Sequence, residues 1–227
     1  MSLAPCSHEE ADSRIMVHVS HAVAHGHRRI QIRTVDTDIV VLAVMVVKKL
    51  PLLDELWIAF GTGKNYRYIP AHEIAASLDP QKALVLPVFH ALTGCDTVSG
   101  IVGHGKKSNW ATWNSFPELT TALAELQLHV TSKPDSSLPE QAMRTIERFI
   151  VLLYDRTSPC VNVNEARKKL FSKRNSAQRI PPSYDALVQH VRRAIFQGCF
   201  IWGWIPFKAV SSGDFIPYPR TQHSFSN

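Results

Sequence analysis

Three groups of acidic residues stand at places where a chain could present carboxylates to a ligand. Glu9, Glu10 and Asp12 open the first helical stretch, Asp36 and Asp38 close an apolar alternation that reads as a strand, and Asp96 follows Phe89-His-Ala-Leu-Thr-Gly-Cys95. In an open α/β sheet ligands gather at the carboxyl ends of strands, which is where Asp36 and Asp38 would lie. A DxD spacing there can turn both carboxylates into one pocket if the backbone bends between them. Hard oxygen donors of this kind suit Mg²⁺ or Mn²⁺ rather than zinc. One or two such ions are a common device for phosphodiester hydrolysis. Each group also has a plain structural reading. Acids at a helix start complement its dipole, a DxD after a strand serves as a turn and N-cap, and a single Asp such as Asp96 can simply end a helix.

Gly100-Ile-Val-Gly-His-Gly-Lys-Lys107 nearly spells a phosphate loop. Lys107 stands where the magnesium-binding Ser or Thr belongs, and no strand precedes it, so a nucleotide triphosphatase is disfavoured. The same segment can let a nucleic-acid backbone approach Gly103 and Gly105, with Lys106 and Lys107 adding charge at a helix start, or it can be a glycine turn with solvated lysines. Gly61-Thr-Gly-Lys64 reads as a hairpin turn. His18, His21, His25 and His27 recur at spacings that could bind a transition metal, without a matching Cys or carboxylate set. Trp110 and Trp113 read first as a core pair and second as a stacking surface. Arg167, Lys168, Lys169, Lys173, Arg174, Arg179, Arg192 and Arg193 could line a phosphate-binding face or be solvated helix residues.

The elements that must position these groups follow from pattern. Helical spacing of apolar residues predicts a first helix over 8–25, with Ser7 as N-cap. Strands are expected at 29–35, 55–60 and 66–69, the last two joined by the turn at 61–65, with a buried helix over 39–49 between the first pair. Helices are expected over 70–78, 80–93, 106–114 and 117–127. After a polar linker at 131–138 the pattern is helical over 139–154, 164–173 and 183–200, and the tail from 211 has no period. The reading is an α/β core over 1–130, a linker at 131–138, a helical C-terminal extension over 139–210 and an irregular end at 211–227.

The chain has 227 residues and a formal charge of +6, unevenly spread. Residues 1–100 hold nine basic and ten acidic side chains, while sixteen basic and nine acidic follow, so the whole excess lies in the second part. That split suits a polyanionic partner. The longest uninterrupted apolar run, Ile39 to Val47, has nine residues, about half of the roughly 20 that cross a bilayer. No signal-peptide pattern opens the chain. Cys6, Cys95, Cys160 and Cys199 lie far apart and form no CxxC pair, which argues against a zinc site or disulfide framework and for an intracellular, nuclear or cytoplasmic setting.

The order His8-Glu-Glu-Ala-Asp12, Asp36-Thr-Asp38, Leu92-Thr-Gly-Cys-Asp96 and Gly100 to Lys107 resembles the flap-endonuclease branch of the PIN-like nucleases over about residues 8–125. It is also similar to a group of animal proteins, some linked to mobile elements, that share a His-Glu-Glu-Ala-Asp start and a Thr-Gly-Cys-Asp block. The resemblance implies a three-layer core with a mainly parallel sheet. It implies Glu10, Asp36, Asp38 and Asp96 as ligands of one or two Mg²⁺ or Mn²⁺ ions, and contacts from Gly103, Gly105, Lys106 and Lys107 to nucleic acid, DNA ahead of RNA. His8 falls where the family places a glutamate, and Glu9 or Asp12 could replace it only if the helix turns differently. The family draws further aspartates from a segment before this helix, so the resemblance implies an N-terminally truncated core. Three readings stay open: a metal-dependent nuclease, a catalytically silent relative that binds nucleic acid or protein, and an α/β interaction domain without a metal.

Overall fold

In a computed structural model of the chain, residues 10–132, 137–173 and 180–203 are described. The first helix, α1 (Ala11–Ala24), starts three residues later than its pattern suggests. Glu10 is its N-cap and accepts a hydrogen bond from the Ser13 amide at 2.7 Å. The expected cap, Ser7, lies outside the described residues. Gly26, with φ of +93°, ends the helix and turns the chain into β1 (Arg29–Thr34). The nine-residue apolar run is the body of α2 (Thr37–Lys49), buried from Leu42 through Val46. It leads into β2 (Glu55–Phe60), and β1 and β2 pair in parallel from Arg29↔Glu55 to Thr34↔Phe60.

A short 3₁₀ turn at Gly63–Asn65 then reverses the chain into β3 (Arg67–Pro70), which runs antiparallel to β2. The sheet is therefore mixed, with order β1-β2-β3, and not mainly parallel. The reason is the connection: a six-residue turn, Gly61 to Tyr66, returns a strand antiparallel, whereas a parallel neighbour needs a longer crossover. The three-layer expectation is also corrected among the described residues. Ile30, Ile32 and Thr34 of β1 turn inward, but Arg29, Gln31 and Arg33 on its other face are exposed, so no helical layer covers that face of β1.

Beyond the sheet the chain is helical. α3 (Ala71–Ser77) is followed by α4 (Pro80–Leu84) and α5 (Leu86–Leu92) where one continuous helix over 80–93 was expected. The break sits at Val85, with ψ near 0°, because Pro87 in the first turn of α5 has no amide to give to a preceding turn. α6 (Lys106–Ser115) and α7 (Glu118–Ser132) follow, and α7 runs two residues into the expected linker. α8 (Glu140–Tyr154), α9 (Val163–Lys173) and α10 (Tyr184–Ile195) complete the bundle, and α10 continues into a π-helical segment at Phe196–Ile201.

One hydrophobic cluster joins these parts. It runs from Met16 in α1 to Trp202, and Leu126 of α7 and Phe149 of α8 are both fully buried in it. α5 lies at its centre, with Val88, Phe89 and Leu92 buried. The π-helical segment passes so close that a Cβ at Gly198 would stand 2.8 Å from the Val88 Cα, which only glycine allows. Among the described residues no helix is long and apolar enough to cross a membrane.

Candidate metal centre

The carboxylates meet where two helices begin. Asp36 follows β1 and serves as N-cap of α2, its Oδ1 accepting the Asp38 amide at 2.8 Å. The Asp36 amide in turn donates to the Thr34 hydroxyl at 3.0 Å, so the backbone bend a DxD needs is held at both ends. Asp38 lies in the first turn of α2 and is 6 % exposed. Asp12 lies in the first turn of α1. Packing α1 against α2 brings one oxygen from each of Asp12, Asp36 and Asp38 within 4.8 Å of one another. No other group of three such side chains occurs among the described residues.

Asp12 registers the crowding. Burial, then the charges of Glu10, Asp36 and Asp38, then a hydrogen bond with Glu10 push its carboxyl up to about 7. Both helix N-termini offset part of this repulsion with their positive ends. A divalent cation would offset far more. Ligand distances of about 2.0–2.6 Å allow oxygens on opposite sides of one ion to lie roughly 4–5 Å apart. A spread of 4.8 Å fits a single cation.

Behind the acids stand two groups that spacing alone did not single out for this role. The Nε2 of His90, on α5, lies 2.8 Å from the Asp38 Oδ1. With the carboxylate as acceptor, Nε2 carries the proton, and the imidazole fixes the Asp38 side chain. Lys106, in the first turn of α6, folds its ammonium inward although much of its stem is exposed. It donates to the His90 carbonyl at 2.6 Å, to the Thr93 hydroxyl at 2.9 Å and to the Gly94 carbonyl. Those oxygens belong to the last turn and exit of α5, whose final carbonyls have no partner within the helix. Burial brings the Lys106 ammonium down to about 8, against the opposing pull of Cys95 and Asp38.

The other residues marked by sequence fall as follows. Glu10 borders the trio, but its Oε2 is engaged by the Ser13 amide and hydroxyl. Asp96 is exposed in the turn after α5 and is not one of the three. Gly103, with φ of +79°, forms the tight turn between Ile101 and His104, and Gly105 is the N-cap of α6. Lys107 is exposed, whereas the three donors of Lys106 are all spent on protein oxygens. The His21 and His25 rings lie 4.0 Å apart, tilted by 34°, the His25 Nδ1 bonds the His21 carbonyl, and no metal set among the described residues includes these histidines. Trp113 is fully buried, as a core pair requires, and Trp110 packs on it at 5.3 Å.

Of the groups that matter here, Asp12 was visible only as a substitute ligand and His90 only as part of a helix. The available signal for His90 was a polar residue inside the apolar run Pro87-Val-Phe-His-Ala-Leu92. In comparisons with known proteins, no family model, no curated protein and no solved structure matches this chain.

Proposed function

We propose that the chain is a metal-dependent phosphodiesterase of the PIN-like, flap-endonuclease type, with nucleic acid as substrate and Asp12, Asp36 and Asp38 as the residues that would hold Mg²⁺ or Mn²⁺. The observation that carries the reading is the convergence of these three carboxylates within 4.8 Å at two helix N-termini. Bound there, the ion supplies activation of water and neutralisation of charge on the leaving oxygen. The chain's own residues supply position. Asp36 sets the bend after β1, His90 orients Asp38, and Lys106 ties the end of α5 to the start of α6. The ordering of a metal-binding carboxylate by an imidazole is the kind of outer partner that tunes affinity by about 10–100-fold.

The test is cleavage of labelled single-stranded, flap and duplex oligonucleotides with Mn²⁺ or with EDTA. Cleavage that needs Mn²⁺ and disappears in Asp36→Ala and Asp38→Ala is expected. Cleavage that survives both substitutions would remove the assignment.

A second reading has its own support. Glu10 is engaged as a helix cap and Asp96 stands apart, so only Asp36 and Asp38 of the four ligands implied by the resemblance belong to the cluster, which Asp12 completes. This favours a catalytically silent relative that retains nucleic-acid binding. Salt-dependent binding without cleavage at any Mn²⁺ concentration would decide for it.

A further inference from the structure

With the Lys106 ammonium turned inward, the glycine–lysine segment presents only the exposed Lys107 to a substrate, and the sheet offers a further surface. The carboxyl ends of β1 and β2 and the start of β3 lie together, at the end of the sheet from which the chain enters Asp36 and Asp38. Arg33, Ala59 and Tyr68 are register partners across the three strands and so share one face. Ala59 is fully buried between its two long neighbours. Tyr68 is 55 % exposed and Tyr66 40 %, their rings edge to face at 5.4 Å. A hydrogen bond with Tyr68 chiefly raises the Tyr66 phenol above its ordinary value, and Arg33 is near enough to oppose that shift. Val35, 67 % exposed, continues the surface from Arg33 toward Asp36. Lys64 is exposed in the turn that leads into β3, whereas Arg67, the register partner of Phe60, lies on the opposite face with its guanidinium 5.1 Å from the centre of the Phe60 ring. Arg33, Lys64 and Arg67 have no acidic partner among the described residues.

We infer that this face, made by Arg33, Val35, Tyr66 and Tyr68 with Lys64 at its edge, is a platform for single-stranded nucleic acid. The inference rests on the phosphodiesterase reading for its choice of polymer, and it adds where the strand lies and in what form. Exposed rings interleaved with unpaired cations match a polymer whose bases are free to stack while its phosphates need counter-charge. A duplex hides its base faces and could use only the cations. A strand lying here would run past Val35 to the carboxylate trio.

Fluorescence anisotropy of a labelled oligothymidylate, in EDTA and low salt, tests this without any metal. The intact chain is expected to bind with a dissociation constant of about 10 µM or tighter. The double variant Tyr66→Ala, Tyr68→Ala should weaken binding by about ten-fold or more, and Tyr66→Phe with Tyr68→Phe should retain it. Arg33→Gln with Lys64→Gln should lower the log–log salt slope by about 1.4. The substituted side chains are all exposed, and unchanged circular dichroism and melting would confirm that the variants fold. Absence of binding, equal affinity for a duplex or for heparin, or unchanged affinity in the double Ala variant would overturn the platform. The metal reading fails separately: oligothymidylate binding that persists beside unchanged Mn²⁺ binding in Asp36→Ala and Asp38→Ala would remove the trio and leave the platform standing.

Discussion

Asp12 carries a charge that the fold makes costly. Its carboxyl has an ordinary value of 3.8 and titrates near 7 in the folded chain, chiefly through burial and then through Glu10, Asp36 and Asp38. A carboxylate raised in this way stays protonated in the fold while it ionises in the unfolded chain, so folding stability falls as pH rises from about 4 to about 7 and stays low above that. Denaturant unfolding in EDTA should therefore show less stability at pH 8 than at pH 5, and Asp12→Asn should flatten the difference. For a partly exposed group the effect is on the order of 1 kcal/mol. Equal slopes for the two proteins would contradict this. At the same scale, His90→Ala should weaken Mn²⁺ binding by about 10–100-fold with the fold intact, and His90→Gln, which can still donate to Asp38, should recover part of it. The acids at 36 and 38 were legible in sequence because a DxD after an alternating strand has a local geometry. Asp12 was not, since its membership depends on how α1 packs against α2, and Asp96 was drawn in by motif order rather than by distance.

At the scale of elements, the joint between α5 and α6 decides how the site is held. Lys106 bonds three oxygens at the end of α5, and Gly94 makes the exit turn with φ of +107°. Lys106→Met should cost roughly 1–2 kcal/mol in urea unfolding, as expected for hydrogen bonds to a charged group, while Lys107→Met should be close to neutral. Comparable losses from the two lysines would refute the capping role. Gly94→Ala should cost roughly 2–3 kcal/mol, because a Cβ there would stand 2.7 Å from the Gly100 Cα and the backbone conformation is one side chains resist. Strands were the most legible elements. Alternation marked β1, and the glycine turn at 61–65 marked the hairpin of β2 and β3. The break between α4 and α5 was less so, since apolar periodicity runs across Val85 and only Pro87 interrupts it.

Across the whole molecule, the uneven charge that suggested a polyanion has been partly consumed by the fold. Arg148 donates to the Ser158 and Cys160 carbonyls, Arg167 to the Pro181 carbonyl, and Lys169 pairs with Glu165. Counting charges along a chain cannot reveal the two arginine contacts, because their partners are carbonyls brought up by tertiary packing. Integration of the helical bundle depends on similar contacts. Glu147 of α8, only 7 % exposed, accepts the Val163 amide at 3.1 Å, and burial holds its carboxyl above the ordinary carboxylate range. Here too the raised value means that stability is lost as pH climbs through the titration. Glu147→Gln keeps the acceptor and removes the charge, so it should raise the melting temperature at pH 8 and leave it unchanged near pH 4. A lower melting temperature at pH 8 would show that the ionised form is needed.

Mn²⁺ titration followed by electron paramagnetic resonance tests the metal centre most directly. The intact chain should take up Mn²⁺ with sub-millimolar affinity, and the uptake should be lost in Asp36→Ala and Asp38→Ala while both variants remain folded. Uptake that is absent from the intact chain, or that is unchanged in both variants, would contradict the assignment of Asp12, Asp36 and Asp38 as a metal site.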